Sequence, residues 1–167
     1  MEVKSLFRTY RVDFTSDLPN INENDVLVID KNVFNLYKHR YSGYKHVFEI
    51  EAREDLKNMT TVLKLVDYLM DNGFTKNDTL HVVGGGITQD ISSMCAALFK
   101  RGINWIFTPT TLLSMCDSCI GSKMGINHND SKNQLGTFYP PKRVMIDVTF
   151  LKTLGEEDIN SGTGERL

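Results

Sequence analysis

Cysteine, proline and tryptophan are scarce in this chain of 167 residues, numbering three, four and one. An odd, small set of cysteines in a chain of ordinary size argues against a disulfide framework. Long apolar runs are absent: nothing approaches the roughly 18 apolar residues that a membrane-spanning helix needs. The start, Met1-Glu2-Val3-Lys4, lacks the apolar centre of a signal peptide, so the expected compartment is the cytoplasm and no membrane partner is expected. No excess of one charge exists either: 19 Lys and Arg against 21 Asp and Glu give a net charge of -2. Without a basic cluster there is no electrostatic case for a nucleic-acid partner. Internal repeats and low-complexity tracts are missing too.

What is present is 41% hydrophobic residues, enough for one ordinary domain with a core. The stretch 6–14 puts Leu6, Tyr10, Val12 and Phe14 on one side of an alternation and predicts a strand. A polar linker over 16–24 precedes the apolar run 26–29, closed by Asp30, with Asn32 as the expected cap of a short helix to Tyr37. A strand is predicted over 46–50. From Asp55 the period becomes helical, with Leu56, Met59, Val62, Leu63, Val66, Leu69 and Met70 as the apolar face and Gly73 as the stop. Further strands are predicted over 80–83, 105–107 and 144–146. Between the first two, Ile91, Met94, Cys95, Leu98 and Phe99 form a helix face, and a short helix follows Asp147 around 150–154. Short apolar strands alternating with helices predict an α/β, Rossmann-like fold with a largely parallel sheet. The segment 114–141 is glycine-rich, polar and aperiodic, and irregular chain of that length is usually functional.

Gly84-Gly85-Gly86 joins a buried-type strand to a helix. Glycine there allows positive φ and close approach of a ligand, and the helix start offers N–H groups to a pyrophosphate. Asp90 is either a cap of that helix or a ribose ligand; the G-x-G-x-x-G fingerprint is absent. Asp117 through Lys123 resembles part of a phosphate loop. Lys123 and Lys132, beside Asn127 and Asn133, suit either a phosphorylated, hydroxyl-rich ligand or a solvated loop. Cys116 and Cys119 form a C-x-x-C pair without a second pair, and His128 lies in the same polar segment. His46 and His81 are expected to be packed and His39 to lie at the surface.

Taken together, the motifs Gly84-Gly85-Gly86 to Asp90, Arg101-Gly102, Pro109-Thr110-Thr111, Asp117-Ser118, Gly121-Ser122-Lys123, Asn127-His128, Lys132-Asn133, Tyr139-Pro140-Pro141 and Gly162 to Glu165 resemble the sugar phosphate cyclase family, which includes the 3-dehydroquinate synthases. The resemblance implies an NAD-binding α/β domain over 1–155, with 156–167 opening a helical metal-binding domain. It implies that Asp30, Asn32, Glu54 and Lys57 border the adenosine of NAD, that Gly85, Gly86 and Asp90 hold its pyrophosphate and ribose, and that Thr110, Thr111, Phe150, Leu151 and Thr153 complete the pocket. Lys123 and Lys132, with Asp117 and Asn133, would meet the nicotinamide end and a phosphorylated sugar substrate. Arg101 would reach the substrate phosphate across a homodimer interface, and Glu165 would be the first ligand of zinc or another divalent metal. The implied chemistry is oxidation by NAD, phosphate elimination, return of the hydride and aldol closure of a carbocycle.

Two departures follow from the same comparison. The sequence ends at Leu167, before the histidines that such a zinc site needs. One carboxylate cannot hold catalytic zinc, so the chain by itself is expected to be inactive. Arg53, Gln89, Ser122 and Ser131 stand where 3-dehydroquinate synthases usually carry glycine, and Gln134 replaces an apolar residue, which leaves a different sugar phosphate open as substrate. The alternatives are a metal-dependent polyol dehydrogenase-like domain, a non-catalytic nucleotide-binding fragment, and a redox module built on Cys116 and Cys119.

Overall fold

In the computed structural model, residues 1–155 are described. Seven strands form one sheet in the order β1 (Glu2–Lys4), β2 (Thr9–Phe14), β9 (Arg143–Ile146), β6 (Asn104–Pro109), β5 (Thr79–Gly84), β3 (Val26–Asp30) and β4 (His46–Ile50). Every pairing is parallel except β1 with β2. The expected α/β architecture is therefore present. In the central strands Val26 to Ile29 and Leu80 to Val83 are all buried, as continuous apolar runs require when both faces of a sheet are covered.

Three helices serve the crossovers: α1 (Lys31–Tyr37), α2 (Met59–Asp71) and α3 (Gly86–Leu98). α1 packs on β3 and β4, whereas α3 lies against β5 and β6 and also packs on α2. The chain runs outward from β3 to β4, then returns across β3 to β5 and on to β6. The order therefore reverses between β3 and β5, and a crevice opens at the carboxyl ends of those two strands. Asp30 and the glycine triplet sit at those ends.

Several local expectations change. Leu6 is 98% and Phe14 75% exposed, and only Tyr10 and Val12 face the core; residue 6 belongs to the connection between β1 and β2, whose three-residue first strand is too short to show a period. The cap of α1 is Asp30, not Asn32: the Asp30 carboxylate accepts from the Asn32 and Val33 N–H groups. α2 starts at Met59, after a 3-10 turn (Glu54–Leu56), with Asn58 as its cap. It buries Val62, Leu65 and Leu69 while Leu63 and Met70 face outward, so the buried stripe is rotated from the predicted face. Leu98 is exposed as well. His46 is half-buried rather than packed, but His81 is buried and its Nδ1 meets the Tyr44 hydroxyl.

The largest correction concerns 114–141. A π-helical turn (Ser114–Ser118) is followed by an antiparallel hairpin of β7 (Lys123–His128) and β8 (Ser131–Phe138). All eight residues of β8 are exposed, so no alternation of polarity marks it as a strand. β7 packs on α3 and α2 and brings the hairpin turn beside the start of α2. The strand is entered from Ser122, whose φ of 64° is left-handed and whose buried hydroxyl has no partner among the described residues. Both facts explain why glycine is expected there. Ser122→Gly should raise stability by about 1 kcal/mol, read as a higher urea midpoint at unchanged slope; an unchanged or lower midpoint would refute the strain.

Candidate functional site

The glycine triplet folds as a tight strand-to-helix junction, but not through positive φ: the described glycines with positive φ are Gly73, Gly102 and Gly121. Two of its three members have a steric reason. A Cβ on Gly84 would stand 2.6 Å from the Thr88 Cβ, and one on Gly85 would stand 3.0 Å from the Thr111 Cγ2. A Cβ on Gly86 would meet nothing within 4 Å. Gly84 and Gly85 thus let α3 and the 110–111 segment close on the strand end, while the space over Gly86 stays open. Gly85 is the N-cap and supplies no side-chain bond, so the first N–H groups of α3 are left for a ligand.

That open space is a cavity of about 450 Å³. Of the residues implied by the resemblance, Asp30, Asn32, Gly85, Gly86, Thr110, Thr111, Phe150 and Thr153 line it. Leu151 does not: it faces an apolar groove with Met115 and Val148, and Leu154 takes the place beside the cavity. Val33, Leu36 and Ile87 add an apolar wall that the sequence reading missed. Leu36 is 57% exposed, and nothing in the sequence separates such an open apolar residue from a packed one.

The short 3-10 helix (Val148–Thr153) that brings Phe150 and Thr153 to the cavity is anchored by a pair the sequence did not reveal. Arg40 donates to the Asp147 carboxylate at 2.7 Å and to the Ser16 carbonyl at 2.9 Å, and its guanidinium lies 5.1 Å from the Phe150 ring centre. Burial works against the charged Asp147, but hydrogen bonds from Thr149 and Arg40 outweigh it and hold the carboxyl below its ordinary range.

A second set of site residues converges on Lys57, which is buried. Its ammonium donates to Asp90 Oδ2 at 3.1 Å and to Asn133 Oδ1 at 2.8 Å, and lies 3.7 Å from Glu54 Oε1. Asp90 is therefore neither the cap of α3 nor turned to solvent. Burial pushes its carboxyl above the ordinary range, and the Lys57 charge pulls it only part of the way back. Asn127 donates to Glu54 and accepts from the Asn133 N–H. That hydrogen bond, with the charges of Lys57 and Lys132, outweighs burial and lowers the Glu54 carboxyl. Asn133 adopts φ of 52°, and a Cβ on Gly125 would stand 2.9 Å from its Oδ1; glycine at 125 makes room for the amide to reach Lys57. Glu54, Lys132 and the exposed His128 border an open polar cleft between the start of α2 and the hairpin turn.

The remaining residues are placed apart. Asp117, on the π-helical turn, and Lys123, at the start of β7, are exposed. Arg101 is exposed at the amino end of β6, the end opposite the cavity. Glu165 lies outside the described residues. Among the described residues no group of three or more His, Cys, Asp or Glu is placed to hold a metal ion. Cys116 is exposed while Cys119 is buried, its thiol donating to the Met115 carbonyl; burial pushes that thiol up to about 11. The thiolate that redox exchange requires is thereby disfavoured at Cys119.

Comparison with known proteins agrees with this geometry. The family described as 3-dehydroquinate synthase N-terminal matches residues 47–161. The 3-dehydroquinate synthase of Buchnera aphidicola subsp. Cinara cedri (strain Cc) is 37% identical over 159 residues, covering 91% of this chain and 43% of the relative. Among solved structures, 2-epi-5-epi-valiolone synthase (ValA) from Streptomyces hygroscopicus subsp. jinggangensis 5008, with NAD+ and Zn2+ bound, superposes with a TM-score of 0.87 at 31% identity, over 98% of this chain and 49% of that one. A 2-deoxy-scyllo-inosose synthase complexed with carbaglucose-6-phosphate, NAD+ and Co2+ gives 0.86 at 24% identity, over 98% and 49%, and shows the shared fold. The chain thus spans somewhat under half the length of these proteins. With its switch-point cavity, its glycine junction and a match over most of its length, the chain belongs to the 3-dehydroquinate synthase family, in the part described as N-terminal.

Proposed function

We propose that this chain is the NAD-binding part of a sugar phosphate cyclase, with 1–155 as the nucleotide domain and 156–167 leading into a metal-binding domain. The observation that carries the reading is the cavity at the switch point, open over Gly86 and facing the free N–H groups of α3. These residues fit a dinucleotide. The α3 N–H groups suit a pyrophosphate. Asp30 uses Oδ1 for its cap and keeps Oδ2 for a ribose hydroxyl, and Val33, Leu36 and Ile87 suit an adenine face.

When bound, NAD supplies the acceptor and later the donor of a hydride. The residues of this chain hold and orient it: Lys57, Asp90 and Asn133 form a preorganised polar wall, and the exposed Lys123 and Lys132 offer cations to a phosphorylated sugar. Asp117, exposed on the turn that precedes Lys123, would contact the reacting end. Arg101, at the far end of the sheet, serves a neighbouring copy in a homodimer rather than its own cavity. Zinc or another divalent metal, held in part through Glu165, would supply Lewis-acid chemistry at the substrate's oxygens. Elimination of phosphate and ring closure are accordingly activities proposed for the complete enzyme.

Calorimetric titration of the chain with NAD is the test. The expected result is saturable one-to-one binding with a dissociation constant below about 1 mM, competed by ADP-ribose. No heat and no competition up to about 10 mM would overturn the reading.

A further inference from the structure

The turn that carries Asp117 is held at both ends. At its start Thr111 and Ser114 interlock, each hydroxyl bonded to the other residue. At its end the tether comes from another element: the Gln89 amide donates to the Ser118 carbonyl at 2.6 Å. Gln89 is on α3, three residues after Gly86 and one before Asp90, and only 3% of it is exposed. The Cys119 N–H closes the π-helical turn on the Ser114 carbonyl, so an anchor at Ser118 fixes the backbone beside Asp117. π-helical turns of this kind are uncommon and concentrate at functional sites.

We propose that Gln89 is a positioning residue that locks the Asp117 turn onto the ligand-facing end of α3. One side chain then links the two halves of the cleft, because the same helix offers its N–H groups at Gly86 and holds the turn at Gln89. The side chain is kept at a cost: its Oε1 and the Ser118 hydroxyl are both buried without a partner among the described residues. It stands at a position where glycine is expected from the resemblance, and glycine cannot make this bond. The tether is a property of this chain's own sequence. Its consequence for the nucleotide rests on the proposed NAD reading: the start of α3, with Asp30 and α1, serves the adenosine and pyrophosphate, whereas the turn serves the nicotinamide end.

Two variants of near-constant length test it, Gln89→Met, which has no donor, and Gln89→Glu, which at neutral pH has none either. Amide hydrogen exchange is read on the full chain without nucleotide. The loss of one hydrogen bond should speed exchange at Cys119 and Ile120 about fivefold, with Val82 and Phe107 in the sheet unchanged. Affinity for ADP-ribose should stay within about twofold while that for NAD falls about fivefold. Equal exchange in parent and variants, or an acceleration spread evenly through the sheet, would overturn the tether. NAD and ADP-ribose weakening together would overturn the link to the nicotinamide end. If the parent bound neither nucleotide, the NAD reading would fall, and exchange at Cys119 and Ile120 would still decide the tether. If one variant does not fold, the other carries the same measurements.

Discussion

Gly86→Val should cut NAD affinity by about a hundredfold and leave the melting temperature within about 2 °C, whereas Gly84→Ala should lower it by about 2–12 °C. The two glycines are two residues apart and have opposite surroundings. At Gly84 the added methyl carbon would stand 2.6, 2.7 and 2.8 Å from three atoms of the fully buried Thr88 side chain. Neither the strand end nor the first turn of α3 can give way without disturbing the sheet, and overpacking of this kind costs about 1–3 kcal/mol, or about 2–4 °C each for a chain of this size. At Gly86 the same carbon meets nothing, and at the first position of a helix valine carries little penalty against glycine. Its isopropyl group fills only the space through which a phosphate would reach the α3 N–H groups. Losing a charge-assisted contact there is worth about 2–3 kcal/mol, near a hundredfold in affinity. Scanning calorimetry and NAD titration on both variants separate the effects. A Gly86→Val protein that bound NAD like the parent would move the pyrophosphate away from this junction.

The same junction shows what the sequence could and could not disclose. A glycine triplet between an apolar run and a helix was legible as a turn, yet of the two reasons read from it, positive φ and room for a ligand, the first does not apply to any of the three. Steric proximity to Thr88 and Thr111 is a tertiary fact, invisible until α3 and the 110–111 segment are placed. β3 and β5 were legible because strands buried on both faces are written as continuous apolar runs. β8 was not, since a strand with every residue exposed leaves no periodic trace. In α2 the end was nearly right, but the helix starts at Met59 instead of near Asp55 and the stripe was rotated, because Leu63 and Met70 are apolar residues that face outward. The cavity lining was legible mainly through resemblance, which named eight of its residues and placed Leu151 where Leu154 stands. Neither pattern nor resemblance joined Lys57 to Asp90 and Asn133, which lie 33 and 76 residues away in sequence, nor Gln89 to Ser118.

Lys57→Met should destabilise the chain by about 3 kcal/mol at neutral pH, lowering the melting temperature by about 6–12 °C, and the deficit should shrink on acidification. Lys57 is 6% exposed and is the cation bonded to Asp90. Methionine keeps the apolar length of the side chain, so little packing is lost, but a carboxylate is left without its counter-charge in a place where burial already raises its pKa. A carboxyl whose folded-state pKa is raised contributes stability below its unfolded value and loses it as pH rises through the folded value. In the variant the folded value rises further, so the deficit is fullest at neutral pH and fades as Asp90 takes up its proton. Glu54 works in the same direction. Its lowered pKa, due first to Asn127 and in part to Lys57, contributes stability above the ordinary glutamate range that is lost as pH falls; the Lys57 share of it is missing from the variant only while Glu54 is charged. What survives in acid is the lost hydrogen bond to Asn133, worth about 1 kcal/mol. Adding Asp90→Asn removes the stranded charge, so the double variant should be about 1–2 kcal/mol more stable than Lys57→Met at neutral pH, and its deficit should no longer change as Asp90 would titrate. Urea unfolding of the parent, the two single variants and the double variant at pH 7.5 and about 4.5 reads every term. Deficits that are equal at the two pH values would show that Lys57 is held for packing, and the convergence of Asp90, Asn133 and Glu54 on its ammonium would carry no electrostatic weight.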